Sequence, residues 1–238
     1  MNSIEVIFTP ALYPFKQTKE SFIAVVIDVL RATTSMVTAF ANGVESIIPV
    51  SDLEEAKRFK SSGYLVAAER DGKYLEFADY GNSPFDYMNE IVKGKTIVYS
   101  TTNGSHSITL TNDAYQTIIA SFINATAIVN WIIFQNKPVV ILCAGWKNMF
   151  NLEDSACAGL LCSKLLSSGK FFTADDSVFA AIDLYSAAQS DLRGYLDKAS
   201  HRNRLRILGV DDSLEYCLTP DSVDVVPGIV NGRLVKLI

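Results

Sequence analysis

The chain has 238 residues, of which 49% are hydrophobic and 20% are charged. That length and composition predict a globular protein with a substantial core, which buries about 70% of the surface of its unfolded chain. The net charge of −5 argues against a broad nucleic-acid or anionic-membrane surface, so we expect neither nucleic acid nor a membrane as a partner. A small anionic substrate needs only a locally positive pocket and remains open.

Apolar runs rich in β-branched residues predict seven strands, at residues 4–8, 22–27, 46–50, 64–67, 96–99, 117–122 and 139–142. Helical patterns follow at residues 35–41, 53–61, 105–112, 125–134 and 153–166. Strands that alternate with helices through short connections predict an α/β fold with a largely parallel sheet flanked by helices. We expect residues 1–238 to form a single domain, with a division into two α/β lobes as the alternative.

The segment 114–136 has no charged residue and is long enough to cross a bilayer. Polar residues interrupt it, and Asn124 is of the type that caps helices. We therefore predict a buried strand and helix in this segment rather than a membrane span.

The four cysteines form no Cys-x-x-Cys pair and have no histidine at metal-binding spacing. The first five residues lack the basic and apolar blocks of a signal peptide. We expect a cytoplasmic protein with reduced thiols.

Polar residues follow several predicted strands. Asp28 ends the second strand and Arg31 follows before a helix, while Glu69 and Arg70 follow the fourth strand. Polar loops at residues 100–105 and 143–145 follow the fifth and seventh strands. Because the carboxyl ends of parallel strands lie on one edge, these loops can share a crevice that binds an anion. Taken singly, a surface ion pair would explain Glu69 with Arg70, and ordinary turns would explain the loops.

Several familiar catalytic motifs are absent. The Asp-x-Asp motif fails at Leu30, a tyrosine-phosphatase loop fails at Met149, and no glycine-rich nucleotide loop is present. His106 and His201 are the only histidines, and we expect each to be a surface or structural residue.

Six blocks of the chain, in order, resemble the 2-phosphosulfolactate phosphatases (the ComB family). They are Asp28-Val-Leu-Arg31-Ala-Thr-Thr34, Glu69-Arg70-Asp-Gly72, Gly81-Asn-Ser-Pro84, Thr101-Thr-Asn-Gly104, Cys143-Ala-Gly145 and Leu152-Glu-Asp154. The resemblance implies a layered ComB-like α/β fold, a homo-oligomer (a dimer), and a magnesium-dependent phosphatase. The family reaction converts 2-phospho-3-sulfolactate to 3-sulfolactate and inorganic phosphate on the route to coenzyme M. The chain departs from the family pattern at Ser105, at Ala68 and in the bulky loop 146–150.

Phosphate ester hydrolysis needs charge neutralisation, a nucleophile in line and a protonated leaving group. The catalytic candidates are Asp28, Arg31, Glu69 and Arg70, in which the two guanidinium groups would clamp an anion. Carboxylate oxygens suit Mg²⁺, and its candidate ligands are Asp28, Glu69, Asp79, Glu153 and Asp154. The candidate substrate-binding residues are Thr33, Thr34, Asn82, Ser83, Thr101, Thr102, Asn103, Gly104, Cys143 and Gly145.

Two nucleophiles remain open, namely the Asp28 carboxylate and a water molecule on the metal. Cys143 is a weaker third candidate, because an apolar strand end raises the pKa of a thiol. Two other functions also remain: a phosphatase for another 2-phospho acid, such as phospholactate or phosphoglycolate, and a non-catalytic anion-binding module. Several carboxylates in one site count against the binding module.

Overall fold

A mixed sheet of eleven strands organises residues 1–19 and 21–238, the part of the chain that this computed structural model describes. Its strands are β1 (Asn2–Ile7), β2 (Ile23–Ile27), β3 (Ser46–Pro49), β4 (Leu65–Arg70), β5 (Lys73–Tyr74), β6 (Thr96–Ser100), β7 (Gln116–Ala120), β8 (Val139–Cys143), β9 (Phe171–Phe172), β10 (Pro227–Val230) and β11 (Arg233–Lys236). All seven predicted strands are present.

Helices connect most of the strands. They are α1 (Ala32–Ala41), α2 (Leu53–Ser61), α3 (Gly104–Leu110), α4 (Ala125–Gln135), α5 (Leu152–Ser167), α6 (Asp176–Ala188), α7 (Leu192–Leu196), α8 (Ser200–Ile207) and α9 (Leu214–Cys217). The five predicted helices correspond to α1–α5. The predicted α/β fold, with its large and mostly parallel sheet flanked by helices, is confirmed.

The sheet consists of two parallel blocks. Its order is β5-β4-β6-β3-β11-β10-β7-β2-β8-β1-β9, in which β4, β6 and β3 form the first block and β7, β2, β8, β1 and β9 form the second. The hairpin β10–β11 lies between the blocks and pairs antiparallel with both β7 and β3. Consequently the two blocks run in opposite directions.

A two-residue turn makes this hairpin. Asn231 and Gly232 both have positive φ, at 50° and 77°. An Asn-Gly pair between two strands favours this geometry, since its twist matches that of the flanking strands.

Helix α1 shares one buried core with strands of both blocks. Its Met36 belongs to one hydrophobic cluster with Val26 and Ile119 of the second block and with Ile47 and Ile97 of the first block. The two blocks are therefore joined by side-chain packing as well as by the hairpin β10–β11.

Strand β2, which lies between β7 and β8, is buried on both faces. Val25 packs into the cluster that contains Ile128 of α4 and Leu161 of α5, whereas Val26 packs against Met36 of α1. Burial on both faces explains its uninterrupted apolar sequence.

The uncharged segment 114–136 forms β7 and α4, which confirms the predicted strand and helix. Among the described residues, none of the helices combines the length and the hydropathy that a membrane crossing requires.

Candidate active site

The carboxyl ends of β2 and β6 meet at Asp28 and Gly104. A Cβ atom on Gly104 would lie 3.0 Å from Oδ2 of Asp28 and 2.6 Å from Cβ of Ala32. Only a residue without a side chain allows this approach. The structure thus brings the Asp28 loop and the 101–104 loop together although their strands belong to two blocks that run in opposite directions, not at one edge of a single parallel sheet as the sequence predicts.

Asp28 is almost buried, with 8% of its surface exposed. Its Oδ1 accepts a hydrogen bond from the Ala32 N–H at 3.2 Å, while Oδ2 accepts none from the described residues. Burial raises the pKa of Asp28 to about 6; the nearby His201 lowers it, and the carboxylates of Glu69 and Glu153 raise it. The result is a carboxylate with one free oxygen and a basicity well above that of an exposed aspartate.

Arg31 is 6% exposed and makes neither an ion pair nor a side-chain hydrogen bond with the described residues. Its Nε is buried without an acceptor. It lines a cavity of about 360 Å³ together with Ser83, whose Oγ is also buried and without a partner. Buried donors without acceptors cost free energy, so these two groups suit an anionic ligand.

Arg70 differs from Arg31 because its guanidinium is already occupied. Its Nη1 donates to the carbonyl oxygens of Glu69 and Ser100, at 2.6 and 3.1 Å. Its Nη2 donates to the Ser51 carbonyl oxygen and to Oγ of Ser100, at 3.0 and 2.9 Å. These contacts tie the end of β4 to β6, so Arg70 positions the strands rather than offering free donors to a substrate.

The Glu69 carboxylate is also engaged. Its Oε1 accepts from the N–H and the hydroxyl of Thr102, at 2.8 and 2.9 Å, and Oε2 accepts from the Gly72 N–H at 2.7 Å. Glu69 therefore joins the loop after β4 to the loop after β6. Its charge acts on Asp28 from this fixed position.

Asp154 holds the second block together at the site. Its Oδ1 accepts from the Val29 N–H at 2.8 Å, and its Oδ2 accepts from the Gly145 N–H and from Nδ2 of Asn151, at 3.0 and 2.9 Å. Burial and the charges of Asp28 and Glu153 raise its pKa well above the ordinary range. Asp154 thereby fixes the ends of β2 and β8 at the start of α5.

Glu153 contacts a residue that we had assigned to a surface or structural role. Its Oε1 lies 2.8 Å from Nδ1 of His201, and its Oε2 is buried and has no partner in the part of the chain that the structure describes. His201 is only 7% exposed, so it is not a surface residue, whereas His106 is exposed. No local pattern signals His201, because α8 lies in the part of the chain for which we predicted no element.

Three of the predicted substrate-binding hydroxyls make hydrogen bonds to main-chain atoms of other residues. Oγ1 of Thr33 donates to the Ala120 carbonyl oxygen at 2.7 Å, and Oγ1 of Thr34 donates to the Val29 carbonyl oxygen at 2.8 Å. Oγ1 of Thr101 accepts from the Ser105 N–H at 3.1 Å. These hydroxyls shape the loops and do not point freely into a site.

The predicted amides are partly engaged. Oδ1 of Asn82 accepts from the Tyr99 hydroxyl at 2.7 Å, and Oδ1 of Asn103 accepts from the Lys147 N–H at 3.0 Å. Asn103 precedes the first turn of α3, where the Ser105 N–H donates to Oγ1 of Thr101. The N–H of Gly104, a residue beside Asp28, has no partner among the described residues and is the main-chain donor that this loop offers.

Asp79 lies away from the other carboxylates. Its Oδ1 pairs with Nζ of Lys60 at 2.5 Å, and its Oδ2 accepts from the Val66 N–H at 2.8 Å. Val66 precedes Glu69 by three residues on β4, which corresponds to about 10 Å along a strand. The structure does not bring Asp79 into the site.

Cys143 and Gly145 end β8. Cys143 is fully buried, and burial raises the pKa of its thiol well above the ordinary range, so it offers no thiolate. Gly145 has a φ of 60°, and a Cβ atom there would lie 2.3 Å from the Met149 carbonyl oxygen. Both residues serve the geometry of the loop rather than a ligand.

Within residues 1–19 and 21–238, no group of three or more His, Cys, Asp or Glu side chains is arranged to hold a metal ion. Mg²⁺ is commonly held by only one or two carboxylates, with water and substrate phosphate completing its shell. Asp28 and Glu153 each keep an oxygen that accepts no hydrogen bond from the described residues, so these two fit such a role. The oxygens of Glu69, Asp79 and Asp154 are already occupied.

The loop 146–150 contacts both the end of β4 and helix α8. Nζ of Lys147 pairs with Oδ1 of Asp71 at 2.7 Å, which links the loop to the end of β4. The Trp146 ring lies 5.2 Å from the His201 ring, and the Arg204 guanidinium lies 4.3 Å from the Trp146 ring centre. The loop and α8 thus form one packed layer beside Glu153.

Comparison with known proteins supports the family resemblance of the six sequence motifs. Residues 7–232 match the family model described as 2-phosphosulpholactate phosphatase. A probable 2-phosphosulfolactate phosphatase of Caldanaerobacter subterraneus subsp. tengcongensis is 39% identical over 212 residues, which cover 87% of this chain and 88% of that protein. A protein of the same name from Synechocystis sp. is 38% identical over 94% of this chain and 95% of its own. The resemblance is confirmed, and this chain belongs to the 2-phosphosulfolactate phosphatase family.

Proposed function

We propose that the protein is a magnesium-dependent phosphatase that hydrolyses 2-phospho-3-sulfolactate to 3-sulfolactate and inorganic phosphate, the reaction type of coenzyme M biosynthesis. The observation that carries this proposal is the family match over residues 7–232. The relatives that match along most of their length bear the name of that activity.

Asp28 is the residue best placed to attack the phosphoryl group. Its Oδ1 is held by the Ala32 N–H, and its Oδ2 lies beside Gly104 and accepts no hydrogen bond from the described residues. In the proposed step Oδ2 forms a bond to phosphorus while the bond from phosphorus to the substrate oxygen breaks, and that oxygen takes up a proton from solvent water. Water then hydrolyses the aspartyl phosphate and releases inorganic phosphate, which restores the carboxylate.

Arg31 and the start of α3 would bind the phosphoryl oxygens. Arg31 has no anionic partner among the described residues, and the start of α3 at Gly104 offers a main-chain N–H beside Asp28. A guanidinium and a helix N-terminus both favour a phosphate group. They would stabilise the charge that develops during transfer.

Mg²⁺ would be held by Oε2 of Glu153, which has no partner among the described residues. Asp28 would be its second ligand if a water molecule, rather than Oδ2 of Asp28, attacks phosphorus. When bound, the ion supplies positive charge that neutralises the phosphoryl oxygens. Glu69 and Asp154 keep the surrounding loops in place through their hydrogen bonds.

The test is the release of inorganic phosphate from 2-phospho-3-sulfolactate, phospholactate and phosphoglycolate, each with Mg²⁺ and with a chelator. The highest kcat/KM for the sulfonated ester, lost on chelation, supports the proposal. A higher value for either other ester would assign a different 2-phospho acid. No phosphate release from any ester would favour an anion-binding module.

Acid quenching during turnover tests the nucleophile. A phosphoryl group trapped on Asp28 and identified by peptide mass spectrometry supports attack by the carboxylate. If rapid quenching across the first turnover finds no phosphorylated protein, the attack belongs to water.

The homodimer and the cytoplasmic location stay predictions. Sedimentation of the purified protein would test the first, and fractionation of cells would test the second.

A further inference from the structure

Arg204 on α8 has two buried nitrogens without a partner. They are Nε and Nη2, and its guanidinium makes no hydrogen bond or ion pair with residues 1–19 and 21–238. These two nitrogens form one edge of the guanidinium fork, the edge that binds two oxygens of one anion. A buried donor pair without an acceptor is costly, so this edge is suited to a ligand.

Trp146 holds this guanidinium in place. The centre of the guanidinium lies 4.3 Å from the Trp146 ring centre, and the same ring packs against His201. Stacking on an aromatic face fixes the plane of an arginine and leaves its edge free. Trp146 is therefore a positioning residue that orients the Arg204 guanidinium.

The neighbouring charges do not satisfy Arg204. Glu153 lies close enough for its charge to act on Arg204, yet its carboxylate oxygen Oε1 pairs with His201 instead. Arg202, two residues earlier on α8, has the carboxylate of Asp197 in contact with it, although its own Nε is buried without a hydrogen-bond partner among the described residues. Within the described residues Arg204 is therefore a cation beside the site without an anion of its own.

Resting on the proposed function, we propose that Arg204 binds the sulfonate of the substrate and so determines its preference for a sulfonated ester. Arg31, three residues from Asp28, would serve the phosphoryl group at the reacting carboxylate. The sulfonate lies one carbon further from the phosphate-bearing carbon than the carboxylate does. It is also weakly hydrated, like the guanidinium, and this favours a site built from arginine and tryptophan.

The kinetic test compares 2-phospho-3-sulfolactate with phospholactate, which lacks only the sulfonate. Arg204→Ala is expected to lower kcat/KM for the sulfonated ester by about 10- to 100-fold and to leave phospholactate within about twofold. Arg206→Ala is the matched control, because Arg206 is an exposed arginine of the same helix that contacts Asn203. It is expected to leave both values unchanged.

A binding test does not depend on turnover. Trp131→Phe leaves Trp146 as the single tryptophan, since the chain has two. Titration with 3-sulfolactate should change the Trp146 fluorescence, and Arg204→Ala in this background should weaken that binding about 10-fold or more. Lactate, which lacks the sulfonate, should show no such dependence on Arg204.

Three outcomes would overturn the assignment. One is an equal loss of kcat/KM for both esters, which would mean that Arg204 binds the phosphoryl group or the carboxylate instead of the sulfonate. Another is a kcat/KM for the sulfonated ester that does not change in Arg204→Ala. The third is 3-sulfolactate binding that does not depend on Arg204. If the wild-type protein does not hydrolyse the sulfonated ester, the proposed function fails, while the fluorescence titration still decides the role of Arg204.

Discussion

Oε1 of Glu153 lies 2.8 Å from Nδ1 of His201, although the two residues are 48 positions apart in the chain. This contact joins the first turn of α5 to α8. It is buried at both ends, and Oε2 of Glu153 has no other protein partner among the described residues. This buried polar contact holds α8 beside the site, together with the packing of α8 against Trp146 and of Leu205 in the core.

His201→Ala should lower the free energy of unfolding by about 1–3 kcal/mol, because it leaves a buried carboxylate without its partner. His106→Ala is the matched control, since His106 is exposed, and should change stability by less than about 0.5 kcal/mol. Urea unfolding measures both. Adding Glu153→Gln to His201→Ala should recover part of the loss, because the amide carries no charge. Equal stability of the two histidine variants would contradict this account.

Asp28→Asn should lower kcat on the order of 10³-fold or more, because the amide cannot attack phosphorus. Its carbonyl oxygen can still accept the Ala32 N–H, so the fold should remain intact. Steady-state kinetics and circular dichroism check the two statements. Near-normal turnover in a folded variant would remove Asp28 from the mechanism.

The pH dependence of stability gives a separate test of Asp28. Burial raises its pKa from 3.8 to about 6, so between these values the folded protein holds a proton that the unfolded chain has released. Stability from this group is therefore present at low pH and lost as the pH rises through 6. In metal-free protein at pH 7.5, the free energy of unfolding of Asp28→Asn should exceed that of the wild type by about 3 kcal/mol. This difference should vanish below pH 4. A difference that is constant from pH 4 to 7.5 would contradict the raised pKa.

Arg31 and Arg70 should respond differently to replacement by alanine. Arg31→Ala should cost about 2–5 kcal/mol of transition-state stabilisation without lowering the melting temperature, because Arg31 makes no internal hydrogen bond or ion pair with the described residues. Arg70→Ala should lower the free energy of unfolding by about 1–3 kcal/mol, because it removes donors from the carbonyl oxygens of Ser51 and Ser100. Kinetics and thermal unfolding of both variants separate the roles. An Arg70→Ala protein of unchanged stability and lowered kcat/KM would make Arg70 a substrate clamp.

The strand ends of the site could be predicted from sequence, because each lies where an apolar run meets a polar loop. This boundary identifies Asp28, Glu69 and Gly104 as candidate site residues. The relative direction of the two blocks could not, because it depends on the hairpin β10–β11. Its Asn231-Gly232 turn is a recognisable hairpin signal, but the pairing of the hairpin with both β7 and β3 is not encoded locally.

His201 and Arg204 mark the limit of prediction from sequence. They lie on α8, and their roles arise from contacts with Glu153 and Trp146, which are distant in the chain. No spacing rule connects such residues. For Arg70 the sequence predicts a role that the structure does not support. Its position after a strand predicts an arginine that clamps a substrate anion, whereas its guanidinium donates to four protein oxygens.

Gly104 allows a final prediction about how the two blocks meet at the site. Gly104→Ala places a methyl group 2.6 Å from Cβ of Ala32 and 3.0 Å from Oδ2 of Asp28, so the start of α3 must move away from the reacting carboxylate. The expected cost is about 1–3 kcal/mol of stability, together with a large loss of kcat/KM. Ala32→Gly removes one of the two clashing atoms and should return part of the stability in the double variant, measured by urea unfolding. The contact with Asp28 remains there, so activity should recover less than stability. Full activity in Gly104→Ala would mean that α3 does not approach Asp28 during the reaction.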